Sequence, residues 1–293
     1  MTLFELMDWY ILNSPRYRIL KKNSKIAYKG RIANIKKAIE DTELSHIRYS
    51  IAGNWYNILL QSYSQTEASY CMKLISIVLN EAIREELIST NPVKLLSIKK
   101  PDNREIVWTK TQYKEFITAC ENNNYNLLKF TAQLCLNLGQ RPIDILEIKN
   151  SDIIKTSTHY IFKIKQNKTG ARVSFPLPID SISQEFKLKL QSSSEYLLSK
   201  NNNPYSYKRM NIHFNDIKKQ NPLFSNIQMR DLRRTSLSLY AALGTSEDRL
   251  LQISGHMDRD SLSTYIQLGQ EINFRLPEES LHNALDRFEN VWY

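Results

Sequence analysis

Residues 97–108, S-I-K-K-P-D-N-R-E-I-V-W, are polar, basic and broken by Pro101, and they separate two stretches with different hydrophobic patterns. Before them, apolar residues recur only at helix period. After them, helical runs alternate with β-prone ones. Such a chain is expected to fold as a helical domain over 1–96, a linker over 97–108 and a second domain over 109–293. Its 293 residues, 42% of them hydrophobic, suffice for two cores. The expected class is mainly α with a small β-hairpin or sheet, hence α+β.

In the front stretch, Leu3, Phe4, Met7, Tyr10 and Ile11 predict a helix over 2–12 that Asn13-Ser14-Pro15 should stop. A second helix from Ser24 has Tyr28, Ile32, Ile35 and Ile39 as its buried stripe, with Lys25, Lys29 and Lys36 on an adjacent face. That face is either merely solvated or a source of sequence-independent attraction to a DNA backbone. A third helix lies within 45–62. A fourth opens on Ser64-Gln65-Thr66-Glu67, which reads as a capping box, repeats Cys71, Leu74, Ile75, Val78 and Ala82 at helix period, and ends before Asn91-Pro92.

In the second stretch, Thr109-x-x-Gln112 caps one helix, and the next runs toward Gly139, a left-handed stop. G-Q-R-P-I-D-I-L-E-I follows and sets Arg141 at a rigid corner between helices, with Asp144 three residues on. Residues 160–165 and 171–177 are β-prone and joined by Q-N-K-T-G, a hairpin turn holding Lys168. Residues 179–228 read as helical with Ser/Asn-rich interruptions. Pro277 then opens a tail helix whose stripe is Leu281, Leu285, Phe288 and Trp292.

The net charge of +10 points to a polyanionic partner, and its excess is shared between the two stretches. Cys71, Cys120 and Cys135 are odd in number and form no C-x-x-C, so they read as small buried hydrophobes rather than a disulfide framework or metal site. Neither H-E-x-x-H nor a carboxylate cluster suggests a metal, and no cofactor is expected. The N-terminus has acidic residues inside its apolar run and no basic leader, and no apolar run reaches membrane-spanning length. A cytoplasmic, DNA-associated protein is expected.

The chemistry concentrates between residues 230 and 265. R-D-L-R-R-T supplies guanidiniums at Arg230, Arg233 and Arg234, S-G-H supplies the imidazole of His256, and a phenol follows at Tyr265. Guanidiniums grip phosphate bidentately, and a phenol of pKa about 10 becomes a nucleophile only when activated. Phosphoryl transfer to tyrosine is the natural reading. Each residue alone has a bland alternative: Tyr265 is one of 16 tyrosines, and Lys168 alone is an ordinary exposed hairpin lysine.

The order L-R-R-T, G-H, Y resembles the signature of the tyrosine recombinase (phage integrase) family. By that resemblance Arg233, His256 and Tyr265 take the family's second catalytic arginine, His or Trp, and nucleophile positions. Arg230 stands where the family usually has His or Lys; it can donate hydrogen bonds but hardly act as a base. Arg141 matches the first catalytic arginine, with Asp144 replacing the usual glutamate as a supporting residue, and Lys168 matches the hairpin lysine that protonates the leaving 5′ oxygen. The front helices resemble the family's core-binding domain, down to E-E-L-I-S-T-N-P-V.

The resemblance implies a metal-free, cofactor-free enzyme that cleaves and rejoins double-stranded DNA through a 3′-phosphotyrosine, as the integrase of a phage or other mobile element. Alternatives are a chromosome-dimer resolvase, a type IB topoisomerase-like enzyme and a catalytically silent DNA-binding relative. It further implies a homotetramer on paired sites joined through the tail helix around 281–292, with host or phage DNA-bending accessory proteins.

Overall fold

The computed structural model describes residues 1–99, 104–191, 193–256, 259 and 262–273. The chain divides into two compact units, Met1–Asn103 and Arg104–Tyr293. The described elements are mostly helices, with one three-stranded antiparallel sheet and one two-stranded ribbon.

The first unit is all-helical: α1 (Leu3–Asn13), α2 (Pro15–Arg18), α3 (Lys22–Ala38), α4 (Tyr49–Ser62) and α5 (Gln65–Arg84). Thr2 opens α1 with a reciprocal capping box to Glu5. Pro15 does not end helical structure: it restarts it as α2, because a missing N–H costs nothing at a first helical position. Ser64 caps α5 through the Glu67 N–H. Leu3, Leu6, Ile35, Leu59, Cys71, Ile75, Val78 and Ala82 are fully buried in one core. Each large apolar side chain so buried contributes roughly 1.5–3 kcal/mol. Helix α3 begins two residues before Ser24, and its stripe lies as its spacing requires, with Ile32, Ile35 and Ile39 buried and Tyr28 half-buried.

The second unit begins sooner than the linker reading allows. Arg104 bonds Asp231, and Trp108 is 1% exposed, donating its backbone N–H to Thr235 Oγ1 (2.8 Å) and its indole N–H to the Gln228 carbonyl (3.1 Å). A large indole is a core residue wherever a partner carbonyl is in reach, which ends the linker before 108. Next come α6 (Lys110–Asn122), opened by a reciprocal Thr109/Gln112 capping box, α7 (Asn126–Leu138) and α8 (Pro142–Leu146). The sheet is β1 (Ile153–Lys155), β2 (His159–Lys165) and β3 (Arg172–Pro178) in order, with Phe162 opposite Phe175 and Lys165 opposite Arg172. Strand β1 is short and exposed, lacks a period-two pattern, and was not expected.

Residues 179–228 are less helical than their composition suggests. They form α9 (Gln184–Leu190), a ribbon of β4 (Ser199–Lys200) and β5 (Asn203–Pro204), and α10 (Tyr207–Gln220). Asn201 and Asn202 turn the ribbon with positive φ, a conformation asparagine tolerates. Helices α11 (Asp231–Ala242), α12 (Glu247–Ser254) and α13 (Ser263–Asn273) complete the described fold. All three cysteines are buried. No described helix is long and apolar enough to cross a membrane. The tail helix expected around 281–292 lies outside the described residues.

Candidate active site

The site forms where α7, α8, the β2–β3 turn, α11, the end of α12 and α13 meet. Helix α7 stops at Gly139, whose φ is +61° and where a Cβ would lie 3.2 Å from both Leu237 and Ser236. Only glycine suits that tight, left-handed corner. Two residues later, Arg141 caps α8 in extended conformation. Its guanidinium donates to Gln166 Oε1 (3.1 Å) and lies 3.7 Å from the Asp144 carboxylate.

Arg233 sits in the first turn of α11 and is only 4% exposed. It donates to the carbonyls of Gly139 (3.1 Å) and Ser254 (2.7 Å), and lies 3.4 Å from both Gln140 Oε1 and His256 Nε2. Burial, and then the charge of Arg141, pull its pKa down to about 10, while contact with Tyr265 pulls it back up. The guanidinium therefore stays charged at neutral pH, but destabilised, and a bound anion would relieve it.

Helix α12 ends on Gly255, φ +63°, which turns the chain to deliver His256. The His256 and Tyr265 rings stack with centroids 5.7 Å apart and planes 19° from parallel. Tyr265 projects from α13, half-buried against the core. Helix α13 crosses α11 at Gly269, where a Cβ would stand 2.8 Å from the Ala241 Cβ and 2.8 Å from the Ser238 carbonyl oxygen. Tyr265 lies one helical turn before that crossing, on the same face, so the crossing sets its position.

Lys168 is exposed in the hairpin turn, and the turn itself is pinned. The Asn167 N–H donates to Asp144 Oδ1 (2.8 Å), Thr169 Oγ1 donates to Gln166 Oε1 (2.9 Å), and the Gly170 N–H donates to the Gln166 carbonyl (2.8 Å). Arg141, Arg233, His256 and Tyr265 thus adjoin one another, and Lys168 rides on the same network.

Other expected residues are placed differently. Arg230 caps α11, exposed, with no hydrogen bond to that group among the described residues. Arg234 turns away to Asp231 and the Ile106 carbonyl. In the first unit, Lys25 donates to the Arg18 carbonyl (2.8 Å) and Lys36 pairs with Asp8 (2.6 Å), so both are engaged within their own helices' surroundings; Lys29 is exposed.

Sequence reasoning missed two buried glutamines, Gln140 (0% exposed) and Gln166 (1%). One signal was present: Gln166 continues the inward phase of Phe162 and Ile164 in β2, where a polar residue needs a reason.

Two arginines and a histidine gathered beside a tyrosine are the donor set that phosphoryl transfer to a phenol would use. Residues 107–271 match the family described as the phage integrase family, and the chain belongs to that family. The integrase of Enterobacteria phage 434 is 30% identical over 205 residues, covering 67% of this chain and 54% of that protein. The integrase of Escherichia phage HK022 is 28% identical over 205 residues, covering 67% and 56%. The chain spans about half the length of the curated relatives it matches. A lambda integrase dimer bound to a COC′ core site superposes with a TM-score of 0.74 at 24% identity, over 91% of this chain and 77% of that one. The Tn1549 transposon integrase in complex with a circular intermediate DNA gives 0.73 at 16%, over 94% and 100%. At those identities the likeness is one of fold.

Proposed function

We propose that this chain is a site-specific DNA recombinase that cleaves and rejoins double-stranded DNA through a 3′-phosphotyrosine at Tyr265, integrating or excising a phage or other mobile element. The observation that carries the reading is the convergence of Arg141, Arg233 and His256 beside the Tyr265 ring. Tyr265 attacks phosphorus as the bond to the 5′ oxygen breaks. Its phenol loses its proton to water, and Lys168 supplies one to the leaving 5′ oxygen. Arg141, Arg233 and His256 bind the non-bridging oxygens, whose charge grows in the pentavalent transition state. A 5′ hydroxyl from a partner strand then reverses the step, so the ester conserves the bond energy and no nucleotide is consumed. Arg230 can donate hydrogen bonds to a phosphate oxygen but cannot serve as a base, and assembly on paired sites is as a homotetramer.

The test is a duplex nicked near the cleavage site, so that the released 5′ fragment diffuses away. The parent should accumulate a covalent protein–DNA adduct that Tyr265→Phe does not form. A parent that binds DNA but forms no adduct would move the reading to a catalytically silent DNA-binding relative.

A further inference from the structure

Gln166 belongs to none of the groups that touch phosphate in the scheme above, yet its side chain meets the segments that carry Arg141, Lys168 and His256. Its Oε1 accepts from Arg141 (3.1 Å) and from the Thr169 hydroxyl (2.9 Å). Its Nε2 donates to Gln140 Oε1 (2.7 Å) and to the Ser254 carbonyl (2.7 Å), and both of those acceptors also face Arg233. Both amide protons and both lone pairs of Oε1 are therefore used, at a residue 1% exposed. The backbone of Gln166 also closes the turn, through its N–H to the Ala171 carbonyl and its carbonyl to the Gly170 N–H, each 2.8 Å. On its far side it presses on Gly255, where a Cβ would stand 2.7 Å from Nε2 and 2.9 Å from Cδ. That glycine delivers His256.

We infer that Gln166 is the positioning residue that sets the turn bearing Lys168 in register with Arg141, Arg233 and the His256 loop. A carboxamide suits the place for a physical reason. Donors and acceptors are both needed within one planar group, and a carboxylate would lack the two donors and neutralise Arg141. The Thr169 hydroxyl is the one side-chain bond from this amide into the hairpin turn, and Thr169 is exposed, so it can be changed without opening the core.

The inference rests on the proposed recombinase chemistry, and its test separates the two. Adduct formation is followed in single turnover on the nicked duplex, and on the same duplex with sulfur replacing the bridging 5′ oxygen. A thiolate leaves without needing a proton, so sulfur bypasses the acid. Thr169→Val should slow cleavage of ordinary DNA by about 10- to 100-fold, the order expected of a small misplacement. The sulfur substrate should restore its rate, and Thr169→Ser should remain near the parent. Gln166→Ala should be slow on both substrates, because Arg141 and Arg233 lose a neighbour as well. Thermal unfolding and DNA affinity, measured alongside, should show Thr169→Val folded and bound. A parent-like rate for Thr169→Val, or a slow rate that sulfur does not restore, would overturn the positioning role while leaving the recombinase reading intact. A parent that forms no adduct on either substrate overturns both.

Discussion

Asp144 serves two neighbours with one buried carboxylate, accepting the Asn167 N–H at one oxygen while the other faces Arg141. At 1% exposure the carboxylate cannot swing out to solvent, so a longer side chain has to be taken up inside. Asp144→Glu, which restores the residue usual at this position, should therefore destabilise the second unit by about 1–3 kcal/mol, the cost of forcing a methylene into a packed site. Calorimetry checks it: an unchanged or raised Tm would mean that the corner yields easily. The catalytic candidates were legible because each advertises its chemistry. A guanidinium at Arg141 or Arg233, an imidazole at His256 and a phenol at Tyr265, in that order, are uncommon company. Gln166 was not legible, because a neutral amide acquires meaning only from what it touches. The DNA-facing reading of Lys25, Lys29 and Lys36 is of another kind: a charge pattern does not show which cations also meet a carbonyl, as Lys25 does, or a carboxylate, as Lys36 does at Asp8.

Among the elements, α11 is tied from two sides. On one side, Arg104 grips the buried Asp231 through Nε (2.8 Å) and Nη2 (2.6 Å) and bonds the Asn226 carbonyl, so the segment that opens the second unit straps the start of α11, which carries Arg233. On the other, α13 presses in at Gly269. Gly269→Ala places a methyl group against a backbone carbonyl that cannot rotate away, so α13 must lift and Tyr265 with it. Adduct formation should fall by about 100-fold with DNA affinity little changed. Gel shift and single-turnover cleavage together check this; an unimpaired rate would show that the crossing does not govern the nucleophile. The long helices were readable from apolar spacing and caps, as with Ser64 before α5 and Thr109 before α6. The 179–228 region was not. Its ribbon is a single pair of two-residue strands turned by asparagines at positive φ, and such short elements leave no periodicity to read.

For the molecule as a whole, electrostatics should act in two separable ways. On the proposed chemistry, the net charge of +10 would attract the duplex over a broad surface, whereas Arg233 would act from a buried position that salt screens far less. Raising salt from about 50 to about 200 mM should weaken DNA binding by at least about 10³-fold. At saturating protein, the single-turnover cleavage rate should change by less than about twofold. If the rate fell in step with affinity, the pocket would have to be open to bulk ions. Arg233 has a further property with consequences for such a pocket. The carbonyls that hold it belong to Gly139, the cap that follows α7, and Ser254, the last residue of α12, so backbone oxygens at the ends of two helices converge on one cation. Peptide dipoles can keep a guanidinium in place without cancelling it, which a carboxylate in the same spot could not do. On the proposed chemistry, a phosphodiester arriving there would meet a whole unit of positive charge, oriented beforehand by uncharged backbone.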